Sequence, residues 1–116
     1  MNPIEEIKKN LRMEIRPNSQ GLEYLEAVIN KKDLDLLKSL LKNHLGPAVK
    51  ESGKEANLPI EIQKMVDSLG GLRIEQSFFY RQDGNEVIFA VLWPWKSNSD
   101  KITLRSGVWE LVSTNC

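Results

Sequence analysis

The chain has 116 residues, of which 41% are hydrophobic and 28% are charged. That is the size and composition of one globular domain, unlike a disordered segment. Sixteen basic and sixteen acidic residues give a net charge of zero, so the chain lacks the overall attraction that dominates most binding to nucleic acids or membrane surfaces.

The sequence predicts neither a membrane-spanning segment nor a metal site. The longest apolar run, 87–95, is too short to span a bilayer, and the N-terminus lacks a signal-peptide pattern. Cys116 is the only cysteine, which excludes an internal disulfide and a cysteine metal cluster. We expect a single domain over 1–116, with 112–116 as a frayed tail, a cytoplasmic location, and no metal or cofactor.

The first 16 residues predict a short helix and then an extended piece. Asn2-Pro3 is a favourable helix opening, and apolar residues recur at helical spacing from Ile4. Apolar and polar residues alternate over 11–16, just before Pro17. We expect the helix to end at about residue 10.

Residues 22–29 fit two alternatives. Their apolar positions suit a helix, but Asn30 resembles the N-cap of a new element, with Asp33 three residues later. A strand paired with 11–16 is therefore the second alternative.

Two further helices are predicted before residue 71. The first follows Asn30 and ends at Gly46-Pro47, and the second begins at Pro59 and ends at Gly70-Gly71. The polar connector 48–57 between them is expected to be mobile. The apolar stripes of the two helices are Leu34, Leu37, Leu40, Leu41 and Leu45, then Ile62, Met65, Val66 and Leu69.

Residues 72–111 predict a three-stranded antiparallel meander, with strands at 72–81, 86–95 and 101–111. Asp83-Gly84 is a favoured two-residue hairpin turn, and it would place Tyr80 opposite Val87. A four-residue loop, Ser97–Asp100, would place Ile102 opposite Trp95. In this register Arg81 and Glu86 form a cross-strand charge pair.

The predicted register assigns side chains to two faces, because they alternate along a strand. Most aromatic residues fall on one face, with Gln76 and Ser106 flanking Val91. Phe79, Ile88 and Trp109 cluster on the other. The middle strand is apolar on both sides, so both faces are expected to be at least partly covered.

The polar pair on the aromatic face has two interpretations. A buried amide needs a partner, and a hydrogen bond between Gln76 and Ser106, to the helix backbone or to a buried water is the favoured explanation. The functional interpretation is a ligand pocket between helices and sheet. Its candidate residues are Gln76, Tyr80, Trp93 and Ser106.

The Trp93-Pro94-Trp95 element is a candidate for protein binding. Proline marks a strand end or sheet border, and tryptophan is enriched among interface hot spots. An uncovered cluster of Phe79, Ile88 and Trp109 would likewise predict a partner or a homodimer. The interaction-surface candidates are Phe79, Ile88, Trp95, Arg105 and Trp109.

Catalytic and nucleotide motifs are weak. His44, the only histidine, lies near a helix C-terminus, where a structural role is favoured over a catalytic one. Ser52-Gly53-Lys54 lacks the spacing of a phosphate loop. Exposed aromatics next to arginines would suit single-stranded nucleic acid, but the register buries Phe78 and Tyr80.

We therefore predict an α+β domain in which N-terminal helices pack on the C-terminal meander, with one or two additional strands from residues 11–16 and 22–29. The predicted function is a non-enzymatic protein-interaction or regulatory module, with a protein partner or self-association. A small-molecule or enzymatic pocket is the alternative, and nucleic-acid binding by the sheet is the third hypothesis.

Overall fold

The computed structural model describes residues 3–21, 23–55, 57–97 and 100–111, so the tail with Cys116 lies outside the described residues. The described part is α+β, with three α-helices and one five-stranded antiparallel sheet. A single 3-10 turn, Lys31–Asp33, precedes the second helix. The elements are α1 Pro3–Asn10, β1 Met13–Ile15, β2 Tyr24–Asn30, α2 Leu34–Leu45, α3 Ile60–Ser68, β3 Ser77–Asp83, β4 Glu86–Pro94 and β5 Lys101–Glu110.

The sheet has the strand order β1-β2-β5-β4-β3, and every neighbouring pair is antiparallel. The strand alternative for 22–29 is right from Tyr24 onward, and Leu22 lies outside the described residues. β2 pairs with β1, as that alternative required, and also along the free side of β5. The meander is thus extended to five strands.

The proline and glycine signals at the helix boundaries are confirmed, but the N-cap predicted at Asn30 is wrong: Asn30 makes no side-chain capping bond and precedes the 3-10 turn, so α2 begins at Leu34. α1 begins at Pro3, where a missing N–H costs nothing. α2 ends before Gly46, whose φ of 84° is in the left-handed region and whose N–H donates to the Lys42 carbonyl at 2.9 Å. α3 ends at Ser68, just before Gly70-Gly71.

Helices cover both faces of the sheet. α1 and α2 pack on one face and α3 packs on the other, which gives two apolar clusters. Ala90 and Leu92 of β4 belong to the first cluster, and Phe89 and Val91 belong to the second. The expectation from the doubly apolar middle strand is therefore confirmed.

The β3–β4 hairpin differs from its predicted register by two residues. Asp83 pairs with Glu86, so Gly84 and Asn85 form the turn. Gly84 has a φ of 63°, and glycine at the first central position is typical of a type II′ turn. An even shift leaves every side chain on its predicted face. The Arg81–Glu86 pair is wrong, because Arg81 lies opposite Ile88.

The β4–β5 register differs by one residue. The Trp95 N–H donates to the Lys101 carbonyl at 3.1 Å, so the connection is 96–100, five residues instead of four. An odd shift moves a whole strand to the opposite face. Thr103 and Arg105 therefore face α3, whereas Ser106 faces α1 and α2.

Candidate functional site

A cleft of about 340 Å³ opens at the end of β4, on the face of the sheet that α3 covers. We call it the tryptophan cleft. It lies where β4 ends at Pro94, which has no N–H to donate, although the next residue, Trp95, still bonds Lys101 of β5. It is lined by Arg73, Trp93, Pro94, Trp95, Lys96, Ser97 and Thr103.

Two half-buried indoles form the apolar wall of the cleft. Trp93 and Trp95 are two residues apart on an extended chain, so both project from the same side of the sheet. The Trp95 Nε1–H donates to Thr103 Oγ1 at 2.7 Å. Since the main-chain N–H of Trp95 is also bonded, both ends of this residue are fixed.

Arg73 supplies the charge of the cleft. Its guanidinium carbon lies 5.1 Å from the centroid of a Trp93 ring, a cation–π distance. Within the described residues, the Arg73 side chain makes no hydrogen bond or ion pair. The exposed guanidinium is therefore held by the indole while its N–H groups remain available.

A turn closed by two hydrogen bonds positions Arg73. Gln76 Oε1 accepts the Arg73 N–H at 2.6 Å, and the Gln76 N–H donates to the Arg73 carbonyl at 3.1 Å. We call this segment the 73–76 turn. Gln76 is only 6% exposed, so the residue predicted to hold a ligand bonds the backbone of a cleft residue instead.

The Lys50 side chain holds the 73–76 turn through hydrogen bonds to its backbone. The residue is 4% exposed, and Nζ donates to the carbonyls of Glu51 at 3.2 Å, Ile74 at 3.0 Å and Gln76 at 2.6 Å. Burial lowers the pKa of the Lys50 ammonium, and the Glu75 carboxylate partly offsets that effect. All three ammonium hydrogens therefore have backbone acceptors.

Two more bonds join the 48–57 connector to the same turn. Ser52 Oγ donates to the Glu75 carbonyl at 2.8 Å, and the Gly53 N–H donates to the Ile74 carbonyl at 2.7 Å. Mobility of the connector stays a prediction, but the part near Ser52 and Gly53 is anchored.

Arg105, predicted as an interaction residue, is used inside the domain. Its Nε donates to Tyr24 Oη at 2.9 Å and lies 3.5 Å from a Glu26 oxygen, and Nη1 reaches the Leu69 carbonyl at 3.3 Å. Burial raises the pKa of Tyr24, and the hydrogen bond and charge of Arg105 partly offset the increase. This group ties the end of α3 to β2 and β5.

Three other interaction candidates do not come together. Phe79 is 3% exposed and belongs to the cluster under α1 and α2, against which Ile88 also packs. Trp109 is half-buried on the opposite face, next to the α3 cluster. The odd register shift of β5 separates them, so the cluster that predicted a homodimer surface is not formed.

The predicted pocket residues are also divided between the faces. Ser106 is fully buried on the α1 and α2 side and donates to the Phe89 carbonyl at 2.8 Å. Tyr80 lies on the α3 side, stacked 5.6 Å from Phe78. The predicted placement of Gln76 and Ser106 together on one face is therefore wrong. Of the four predicted pocket residues, Trp93 is the one that lines the tryptophan cleft.

The space between α3 and the sheet is too small for a metabolite. The cavity beside Gln76, lined also by Phe78, Val91 and Arg105, holds about 10 Å³. That volume admits about one water molecule. An internal ligand pocket at this position has no room.

The remaining titratable candidate is His44, whose Nε2 lies against Glu6 Oε2, joining α2 to α1. Within the described residues, no group of three or more His, Cys, Asp or Glu side chains is placed to hold a metal. No helix in that part of the chain is long and apolar enough to cross a bilayer.

Sequence reasoning missed two residues of the cleft, Arg73 and Thr103. A strand from residue 72 would place Arg73 on the face away from Trp93, but residues before Ser77 form a turn. The four-residue loop predicts Thr103 on the face away from Trp93, whereas the structure pairs the two residues. With a five-residue loop, Thr103 pairs with Trp93, and a polar residue beside that indole would have indicated its place in the cleft.

Comparison with protein-family models, with curated proteins and with solved structures gave no match.

Proposed function

We propose that this chain is a non-enzymatic interaction domain that binds a segment of a partner protein in the tryptophan cleft. The observation that carries the proposal is the pair of half-buried indoles on one side of the sheet end, one hydrogen-bonded to Thr103 and the other within cation–π distance of Arg73. Tryptophan and arginine are the residues most enriched among interface hot spots.

The shape of the cleft favours a peptide segment over a metabolite. Small-molecule sites enclose most of the ligand surface, whereas this cleft is open and bordered by the exposed residues Pro94, Lys96 and Ser97. An extended chain crossing an open cleft buries one or two side chains and leaves the rest in solvent. Rigid indoles suit that mode, because little side-chain entropy is lost on binding.

Three side chains of types that often act as catalytic groups in enzymes have structural partners in this domain. His44 is bonded to Glu6, and Ser106 is bonded to a backbone carbonyl within the sheet. Lys50, whose pKa is lowered by burial, directs all its donors to carbonyls. These arrangements support a binding role.

A displayed library of random dodecapeptides tests the proposal. Peptides selected on the wild-type protein are expected to lose about tenfold or more in affinity on Trp95→Ala, since an indole hot spot contributes about 2 kcal/mol. Trp95→Phe and Trp109→Phe form a matched pair, because Trp109 is half-buried away from the cleft. The Trp109 variant should bind as the wild type does.

Intrinsic fluorescence gives a second measurement on the same proteins. In Trp109→Phe the tryptophan emission comes from Trp93 and Trp95 alone, so a bound peptide should change that emission. Thermal unfolding of each variant shows that it is folded. If no peptide is enriched on the wild type over Trp95→Ala, or if binding survives that change in folded protein, the proposal is wrong.

A further inference from the structure

The tryptophan cleft carries an unbalanced positive charge. Arg73 and Lys96 are both exposed, and none of the described residues that line the cleft is acidic. Neither side chain makes an ion pair with a described residue, although four such pairs occur elsewhere. In a chain of zero net charge, this local excess favours an anionic group on the partner.

The Arg73 guanidinium is preorganised for a carboxylate. The guanidinium carbon lies 5.1 Å over the Trp93 ring, and the guanidinium is a planar fork of N–H donors, none of which bonds a described residue. Its backbone is held by Gln76, and the 73–76 turn is held by Lys50. A carboxylate accepts two parallel hydrogen bonds from such a fork, and the prior ordering reduces the entropy cost.

The apolar part of the partner must lie beside that charge. Trp95 has its Nε1–H occupied by Thr103, so its indole offers an apolar surface. Pro94, which lies between the two tryptophans in sequence, also lines the cleft and is exposed. An aromatic, aliphatic or proline side chain next to the carboxylate would cover this surface.

A nucleic-acid strand fits the same face less well. Val28 lies opposite Thr103, and Glu14 lies opposite Val28, so a carboxylate stands two strands, about 10 Å, from the cleft. Glu26 occupies the next position on β2 that faces the same side. A phosphodiester chain extending across the sheet would meet the exposed Glu14 carboxylate, whereas Glu26 is already paired with Arg105.

We infer that the segment bound in the tryptophan cleft is an extended peptide carrying an aspartate or glutamate next to an apolar side chain, with its carboxylate paired to Arg73. This inference rests on the proposed function, since it names the chemistry of the segment that the cleft would bind. It goes beyond that function in making Arg73 the residue that determines specificity.

Charge reversal at Arg73 tests the inference on folded protein. The dodecapeptide selection is run on the wild type, on Arg73→Glu, and on Lys38→Glu, which makes the same charge change on the exposed side of α2. Wild type and Lys38→Glu should select peptides rich in Asp and Glu beside apolar residues. Arg73→Glu should select Lys and Arg at that position instead.

Affinities of the selected acidic peptides sharpen the result. Arg73→Glu should weaken them about fivefold to tenfold, Arg73→Gln by less, and Lys38→Glu by less than about twofold. Raising the salt to about 0.5 M should reduce wild-type affinity and remove most of the difference from Arg73→Gln. Because Arg73 is exposed, these variants should fold as the wild type does.

The outcomes separate the two proposals. Binders that need Trp95 but show no acidic preference, or that ignore Arg73→Glu, overturn the inference and leave the proposed function standing. An absence of binders that need Trp95 overturns both. Single-stranded oligonucleotides are tested in parallel, and cleft-dependent binding of those without peptide binding also overturns both.

Discussion

Gln76 bonds Arg73 twice, once through its side-chain oxygen at 2.6 Å and once through its main-chain N–H at 3.1 Å. The first bond depends on the amide side chain, and the second belongs to the backbone. A buried residue that never reaches the cleft therefore sets the position of the residue that gives the cleft its charge.

Gln76→Leu should destabilise the domain by about 1–3 kcal/mol, because it removes the acceptor of the partly buried Arg73 N–H. Chemical denaturation measures the change in the free energy of unfolding. Gln82→Leu is the control, since Gln82 is exposed near the hairpin turn, and it should stay within about 0.5 kcal/mol. Equal effects of the two changes would contradict a bonding role for Gln76.

Lys50→Met should lower the free energy of unfolding by about 1–3 kcal/mol. The aliphatic stem is largely kept, but three backbone carbonyls lose a donor. Lys54→Met is the matched control, because the Lys54 side chain is 72% exposed and its pair with Glu51 lies on the surface. A loss at Lys54 as large as at Lys50 would refute the assignment.

The difference in unfolding free energy between the wild type and Lys50→Met should depend on pH. Because the folded-state pKa of Lys50 is lowered below its ordinary value of 10.5, the unfolded chain binds more protons in the window just below that pH. Stability from this group therefore rises with pH up to about 10.5 and is lost as the pH falls through the folded-state pKa. The difference in unfolding free energy between wild type and Lys50→Met should widen as the pH is raised towards 10.5.

Tyr24 should act in the opposite direction. Burial raises its pKa above the ordinary 10.0, so above pH 10 the unfolded chain loses the phenolic proton first. Stability from Tyr24 is complete below pH 10 and falls as the pH rises through the folded-state value. The advantage of wild type over Tyr24→Phe should shrink above pH 10 in denaturation curves. An advantage that grows there would show that the phenol is not buried against Arg105.

Gly107→Ala tests the pairing of β5 with β2, in which Gly107 lies opposite Tyr24. A Cβ at this position would lie 2.9 Å from the Glu23 carbonyl oxygen and 3.0 Å from Tyr24 Cδ1. We expect a loss of about 1–3 kcal/mol from this overpacking, measured by thermal or chemical unfolding. Val108→Thr, a nearly isosteric change at an exposed neighbour, should cost much less. A neutral Gly107→Ala would argue against the close approach of β2 to Gly107.

The elements of this fold were predictable because their signals are local. Proline at the start of α1, the leucine stripe of α2 and Gly46 after it each specify a boundary within a few residues. The attachment of β2 to β5 was not predictable. It joins residues about 75 positions apart, and alternation along either strand does not name the partner.

The site was harder to predict because the face on which each side chain lies depends on whether a register shift is even or odd. Moving the β3–β4 turn from Asp83-Gly84 to Gly84-Asn85 preserved the faces, while one extra residue in the β4–β5 loop reversed them. The sequence placed Trp93 and Trp95 together correctly, since their relation lies within one strand. Thr103 and Arg73 reach them through a loop and a turn whose geometry no motif encodes.

The pairing of β2 with β5 makes the two halves of the chain inseparable. A fragment beginning after residue 57 would retain α3 and the meander but would leave the seven residues Lys101–Gly107 as an unpaired strand edge. The face of the sheet that α1 and α2 normally cover would also be exposed. Unpaired edges of that kind recruit strands from other molecules. Shortening this protein from its N-terminus should therefore yield aggregates rather than a smaller binding domain.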